Sequence, residues 1–320
     1  MALVRAGLHR LATVAGAVAS TMTEVGRAGA YTARTFGSPA GLRGIAVEWA
    51  WLAAHMAVYP AGLLREQLVE SGDGYRTDPL PPERRSLVVT DVEAAGIPIL
   101  LVHGIMDNRS VFTVFRRALR RRGFGTVHAV NYSLFTGDVR TAAHELRTHV
   151  ERLRERTGAD RVHIVGHSLG GMIARYYVQR LGGSETVDTL ATLGSPHSGT
   201  LSAYLMPTAL AAQLRPGSEL LEELTLPVPG CPTRFLVVWS RMDQMIVPQR
   251  NARLVHPDLH VEQYELRDVG HLSLPIDPRS VHWVVSALAR SDHRRHPFRR
   301  GQPAGAPGSS AFGRRSSPAS

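Results

Sequence analysis

The chain has 320 residues, 43% apolar and 20% charged, so it can bury a large core and is neither a wholly disordered chain nor a polytopic membrane protein. Its formal charge of +10 is carried by arginine alone. Half of that excess lies in residues 291–320, where six arginines face only Asp292, so it does not point to a nucleic-acid partner. Cys231 is the sole cysteine, which excludes an intramolecular disulfide and a cysteine-built metal site within one chain.

Residues 1–80 are rich in alanine and leucine with few strand formers, and are expected to form a helical extension. In residues 1–19, Arg5 and Arg10 precede an apolar run closing on Ala17-Val18-Ala19, the form of a short secretory signal. The spacing of Leu3, Leu8, Leu11, Val14 and Val18 also fits an amphipathic helix, and both readings stay open. Residues 44–64 are apolar, and Trp49, Trp51 and Tyr59 would suit a membrane interface. Glu48, His55 and Pro60 argue against a full span, which leaves peripheral membrane attachment or a helix packed on the main domain. A membrane-associated or secreted location is expected ahead of a cytoplasmic one. The turn-rich stretch 71–84 reads as a linker.

Residues 81–290 are expected to form the catalytic domain. Within them, short β-branched runs at 86–89, 97–102, 126–131, 162–165, 188–193, 234–239 and 259–264 alternate with helical patterns at 109–122, 139–156, 169–181 and 278–290. Such alternation predicts an α/β fold, a mostly parallel sheet with helices on both faces. The stripe Ala142, Leu146, Val150 and Leu153 marks the buried side of the second helix. Residues 291–320 are a low-complexity basic tail with too little apolar surface to offset the entropy of ordering it.

The sharpest chemical signal is Gly166-His167-Ser168-Leu169-Gly170, a G-x-S-x-G sequence placed between a predicted strand and a predicted helix. A turn this tight needs glycine where a Cβ would strike the neighbouring strand or helix, and it leaves a serine exposed at a helix N-terminus. Upstream, the strand at 97–102 runs into His103-Gly104-Ile105. The backbone N–H groups of Ile105 and Leu169 are therefore the candidate oxyanion hole. His103 is expected to brace this loop by hydrogen bonds rather than to react.

Downstream, Asp243 follows the strand at 234–239 and His271 lies between the last strand and the last helix, giving the chain order nucleophile, acid, histidine. The chain holds fifteen histidines, but His144 and His149 precede the serine, His282 lies within a helix, and His256 and His260 precede or enter the last strand. Asp258, Asp268 and Asp277 also lie downstream of Ser168, and Asp268 is the reserve candidate for the acid. A neutral imidazole acting as base would lose activity in mild acid, since its ordinary pKa is about 6.5.

These segments resemble the α/β-hydrolase superfamily and, within it, the bacterial triacylglycerol lipase and esterase group. The resemblance covers roughly residues 86–290. It rests on the elbow Gly166-His167-Ser168-Leu169-Gly170-Gly171, on the oxyanion loop that starts at His103, and on Gly194-Ser195-Pro196-His197-Ser198-Gly199 after the next strand. Ser195 stands where many such lipases have threonine. The resemblance implies hydrolysis of lipid-like esters through an acyl-enzyme on Ser168, with no metal or organic cofactor. An acyltransferase or a complex-lipid deacylase on the same residues is the alternative, and a non-catalytic binding protein on the same scaffold is the alternative of another class. The segment 200–230, with Leu201, Tyr204, Leu205, Met206, Leu210 and Leu214, is longer than a plain connection needs and is expected to act as a lid or pocket wall.

Overall fold

A computed structural model of the chain describes residues 96–105, 109–130 and 137–290, together with isolated positions between 26 and 46. The expected helical extension, the linker, the strand at 86–89 and the basic tail lie outside these described residues, apart from those isolated positions. Six strands carry the described domain: β1 (Ile99–Val102), β2 (Val127–Val130), β3 (Val162–His167), β4 (Val187–Leu193), β5 (Arg234–Ser240) and β6 (His260–Leu266). They pair in parallel in the order β2-β1-β3-β4-β5-β6.

Side chains alternate across a strand, and β1 shows what that alternation does. Leu100 and Val102 enter a core shared with α2 (Val139–Thr157) and α3 (Leu169–Arg180). Ile99 and Leu101 enter another shared with α1 (Thr113–Arg121) and α6 (Pro278–Leu288). Helices thus cover both faces, which is why β1 and β3 are buried along their whole length. The helices begin where their caps allow. Asp138 Oδ1 accepts from Arg140 N (2.6 Å) and Thr141 N (3.2 Å) to start α2, which stops at Gly158 with φ +68°. Asp277 caps α6 in the same way, with Pro278 in the first turn.

The segment after β4 consists of a 3₁₀ turn at Leu201–Leu205 and two short helices, α4 (Ala209–Gln213) and α5 (Glu219–Glu223). Leu210, Leu214, Leu220, Leu221 and Leu224 are buried in the main core. Polar clamps fix the same stretch to the start of α2. The Gln213 Oε1 accepts from Val139 N (2.9 Å), its Nε2 donates to Gly137 O (3.1 Å), and the Arg140 guanidinium grips the Glu223 carboxylate through Nε (3.2 Å) and Nη2. Residues 209–224 are therefore an anchored wall. Tyr204 and Leu205, by contrast, are 57% and 85% exposed.

His163, near the start of β3, is fully buried, and its Nδ1 faces the Asp188 carboxylate at 3.4 Å. Burial pushes its pKa down to about 4, Asp188 opposes that shift and Arg234 adds to it. The unfolded imidazole binds a proton below about pH 6.5, whereas the folded one does not until about pH 4. Stability from this group is thus complete above about pH 6.5 and is lost as pH falls toward about 4, by an amount on the order of 3 kcal/mol. Urea midpoints measured between pH 7 and 4.5 should fall in the native chain and fall less steeply in His163→Phe; equal slopes would remove His163 from this role.

Candidate active site

The order of the sheet reverses at β1, with β2 on one side and β3 on the other. At such a switch point the connections leaving the two strands diverge and open a crevice at their carboxyl ends. Both the oxyanion-loop candidates and Ser168 emerge there.

Ser168 joins β3 to α3 with φ 53° and ψ −121°, and it is the only non-glycine residue at positive φ among the described residues. Conformations of this kind cost about 1–3 kcal/mol and persist only where the surroundings enforce them. Here the enforcing contacts are local. Ser168 N donates to Leu193 O (2.8 Å). A Cβ at Gly166 would lie 2.5 Å from Gly171 Cα, and one at Gly170 would lie 2.5 Å from His103 O and closer still to Val102 O. The first turn of α3 is thereby pressed against the end of β1, which brings Leu169, the first residue of α3, beside the loop that carries Ile105. His103 is buried and its Nδ1–H donates to Gly104 O (3.0 Å), bracing that loop. Ile105 is half-buried and packs on the core, while residues 106–108 lie outside the described residues.

Asp243 follows β5 and is fully buried. Its Oδ2 accepts from His271 Nδ1 at 2.8 Å, and its Oδ1 accepts from Met245 N (2.9 Å) and Ile246 N (2.8 Å). Both oxygens are therefore engaged, and the His271 ring is directed by one of them. Gly194 φ is +58°, a conformation that favours glycine, and a Cβ there would stand 2.7 Å from Leu274 Cδ1 and 3.1 Å from both Asp243 Oδ2 and His271 Nδ1, crowding this pair. His271 in turn lies against the elbow: its ring centroid is 5.0 Å from that of His167, the residue before Ser168.

The competing residues are committed elsewhere. Asp268 pairs with Arg279 at 2.8 Å and is 41% exposed, Asp258 accepts from Val228 N (2.7 Å), and Asp277 caps α6. His144, His260 and His282 are exposed, and His256 is hydrogen-bonded to Leu226 O.

Arg175, His197, His167 and Gln244, to which the sequence assigned no role, also shape this region. Arg175, two turns along α3, is buried and donates to Gln179 Oε1 (2.6 Å), His197 O (2.9 Å) and Leu224 O (3.0 Å), tying α3 to the 194–199 turn and to the anchored wall. Its pKa is depressed to about 9, chiefly by burial and further by Arg180. His197 beside it is held well below its usual range by burial and by Arg175, so the ring is neutral, with Nε2 2.9 Å from Thr192 Oγ1. An arginine within the otherwise apolar run Met172-Ile173-Ala174 and Tyr176-Tyr177-Val178 was the available signal for Arg175. His167 and Gln244, which both reach the His271 main chain, carry no comparable signal.

Among the described residues no three His, Cys, Asp or Glu side chains gather in a way that could hold a metal ion, and no helix is long and apolar enough to cross a membrane.

Residues 97–217 match the family model for the alpha/beta hydrolase fold. A triacylglycerol lipase of Pseudarthrobacter phenanthrenivorans is 29% identical over 115 residues, covering 33% of this chain and 35% of that protein. A triacylglycerol lipase of Burkholderia plantarii is 30% identical over 122 residues, covering 35% of this chain and 33% of that protein. The matched stretch thus spans about a third of each curated relative's length. Among solved structures, the mature Bacillus licheniformis lipase BlEst2 superposes with a TM-score of 0.52 at 16% identity over 68% of this chain and 96% of that one. The Aspergillus fumigatus lipase B gives 0.50 at 17% identity over 61% and 52%. At those identities the likeness is one of fold.

Proposed function

We propose that this chain, an α/β hydrolase by fold that resembles the bacterial triacylglycerol lipase and esterase group, hydrolyses carboxylic esters with hydrophobic acyl groups through an acyl-enzyme on Ser168. In this reading the Ser168 hydroxyl adds to the ester carbonyl carbon while its proton passes to His271 Nε2. The N–H groups of Ile105 and Leu169 receive the carbonyl oxygen as it gains negative charge. Collapse expels the alcohol, which takes the proton from His271, and leaves the acyl group on Ser168. Water then repeats the sequence and releases the acid. Asp243 stabilises the imidazolium without itself taking the proton.

The observation that carries this reading is the strained Ser168 elbow next to a buried His271–Asp243 pair at 2.8 Å. Neither a packing serine nor a packing histidine needs that combination. The apolar acyl preference is supported by Tyr204 and Leu205, exposed on the segment joining the 194–199 turn to the anchored wall. In this reading Tyr204 and Leu205 form the exposed apolar lip of a lid and residues 209–224 its fixed base. A p-nitrophenyl ester series from acetate to palmitate, run beside a triglyceride emulsion, tests the substrate class. Release of p-nitrophenol and free acid, rising in kcat/KM from acetate to a medium or long chain, is expected. No turnover across the whole series would reject the esterase reading.

A further inference from the structure

A general base must be held to within about 0.5 Å and 10–20° of its working geometry, and a misplacement of about 1 Å can cost about 100-fold in rate. His271 lies in the loop between β6 and α6 and gains no support from the sheet ladder. Its ring is directed by Asp243 through Nδ1, and its carbonyl oxygen accepts a long main-chain bond from Leu274 N (3.4 Å). Two side chains from other elements also hold its backbone. His271 N–H donates to Gln244 Oε1 (3.2 Å), and His271 O accepts from His167 Nε2 (3.2 Å).

His167 has a particular position in this arrangement. It is the last residue of β3 and the immediate neighbour of Ser168, and it is 1% exposed. A carbonyl oxygen only accepts, so the His167 ring carries a proton on Nε2. The two imidazoles lie 5.0 Å apart at 41°, which limits how far the His271 ring can tilt toward the strand. A single rigid side chain on the strand that delivers the nucleophile therefore also holds the main chain of the base.

We propose that His167 is a positioning residue, which sets the distance and tilt of the His271 imidazole relative to Ser168 through its Nε2–H bond to His271 O. This rests on the function proposed above. The test compares His167→Phe, which keeps a ring and loses the donor, with His167→Gln, whose Nε2 falls about where the imidazole Nε2 sits. His167→Asn, a donor too short to reach, serves as the comparison if the phenylalanine variant does not fold.

With p-nitrophenyl butyrate, His167→Phe or His167→Asn should lower kcat by about 10- to 100-fold with KM within about twofold of the native value. His167→Gln should recover most of the loss. A second readout does not depend on turnover. In ¹⁵N-histidine-labelled protein His167 should be seen protonated at Nε2, and the His271 Nδ1 proton should exchange slowly in the native chain and His167→Gln but rapidly in the donor-less variants. Unchanged kcat and unchanged exchange in those variants would overturn the proposal, as would a glutamine variant as impaired as the others. A native chain with no ester turnover would instead reject the esterase reading, and the exchange data would still decide whether His167 holds His271.

Discussion

Ser168→Ala is expected to lower kcat on a p-nitrophenyl ester by about 10⁴-fold or more, because under the proposed mechanism it removes the covalent route altogether and not merely one stabilising contact. The fold should survive. The positive φ at 168 is enforced by the bond from its N–H to Leu193 O and by the packing of Gly166 and Gly170 on α3 and β1, and none of these involves the hydroxyl. Alanine adopts that conformation at a cost similar to serine, so the thermal midpoint should move by only a few degrees. Turnover lost while the midpoint holds would place the defect in chemistry; turnover retained would remove Ser168 from the reaction.

Asp243→Asn should cost on the order of 10⁴-fold, although the side chains are nearly identical in size. Its two oxygens explain the magnitude. Oδ1 accepts from two N–H groups, those of Met245 and Ile246, so an asparagine must keep its carbonyl oxygen there and cannot turn its NH₂ toward them. The NH₂ is then forced to face His271 Nδ1, where the native carboxylate accepts at 2.8 Å. Nδ1 becomes an acceptor, the ring proton moves to Nε2, and the nitrogen that should take the serine proton is blocked. The expected signature is a fall in kcat with little change in KM or in thermal midpoint. A loss of less than about tenfold would mean that Asp243 does not direct the base.

Much of the described sheet was legible because a parallel strand buried on both faces must be a continuous apolar run, as Ile99-Leu100-Leu101-Val102 and Phe235-Leu236-Val237-Val238 are. Boundaries moved by one or two residues where tertiary pairing overrode local pattern. The strand at 162–165 extends through Gly166 and His167, which pair with Thr192 and Leu193 of β4 although neither favours a strand by itself. The helix at 109–122 begins as a 3₁₀ turn at Arg109–Phe112, a hydrogen-bonding distinction that periodicity does not encode.

In the candidate site, the strained turn at Ser168 could be read because its constraint is local: the glycines that permit the turn are its sequence neighbours. The contacts of Arg175 with His197 O and Leu224 O, and of His167 with His271 O, span 22, 49 and 104 residues of sequence. Interactions of that range depend on how helices and loops settle against one another, and a side chain bonding to a distant backbone oxygen leaves no pattern in either segment. The segment 200–230 was legible as apolar but not as divided. Its leucines look alike in sequence, and the burial of Leu210, Leu214, Leu220, Leu221 and Leu224 together with the clamps from Gln213 and Glu223 to the start of α2 separates the anchored part from the exposed Tyr204 and Leu205.

The most direct measurement is a fluorophosphonate reaction on the native chain at neutral pH, followed by digestion and peptide mass spectrometry. One adduct is expected, on Ser168, forming rapidly in the native protein and at least about 100-fold more slowly when His271 is replaced by alanine. An adduct on another serine, or none at all in a folded chain, would contradict the assignment of Ser168 as a nucleophile activated by His271.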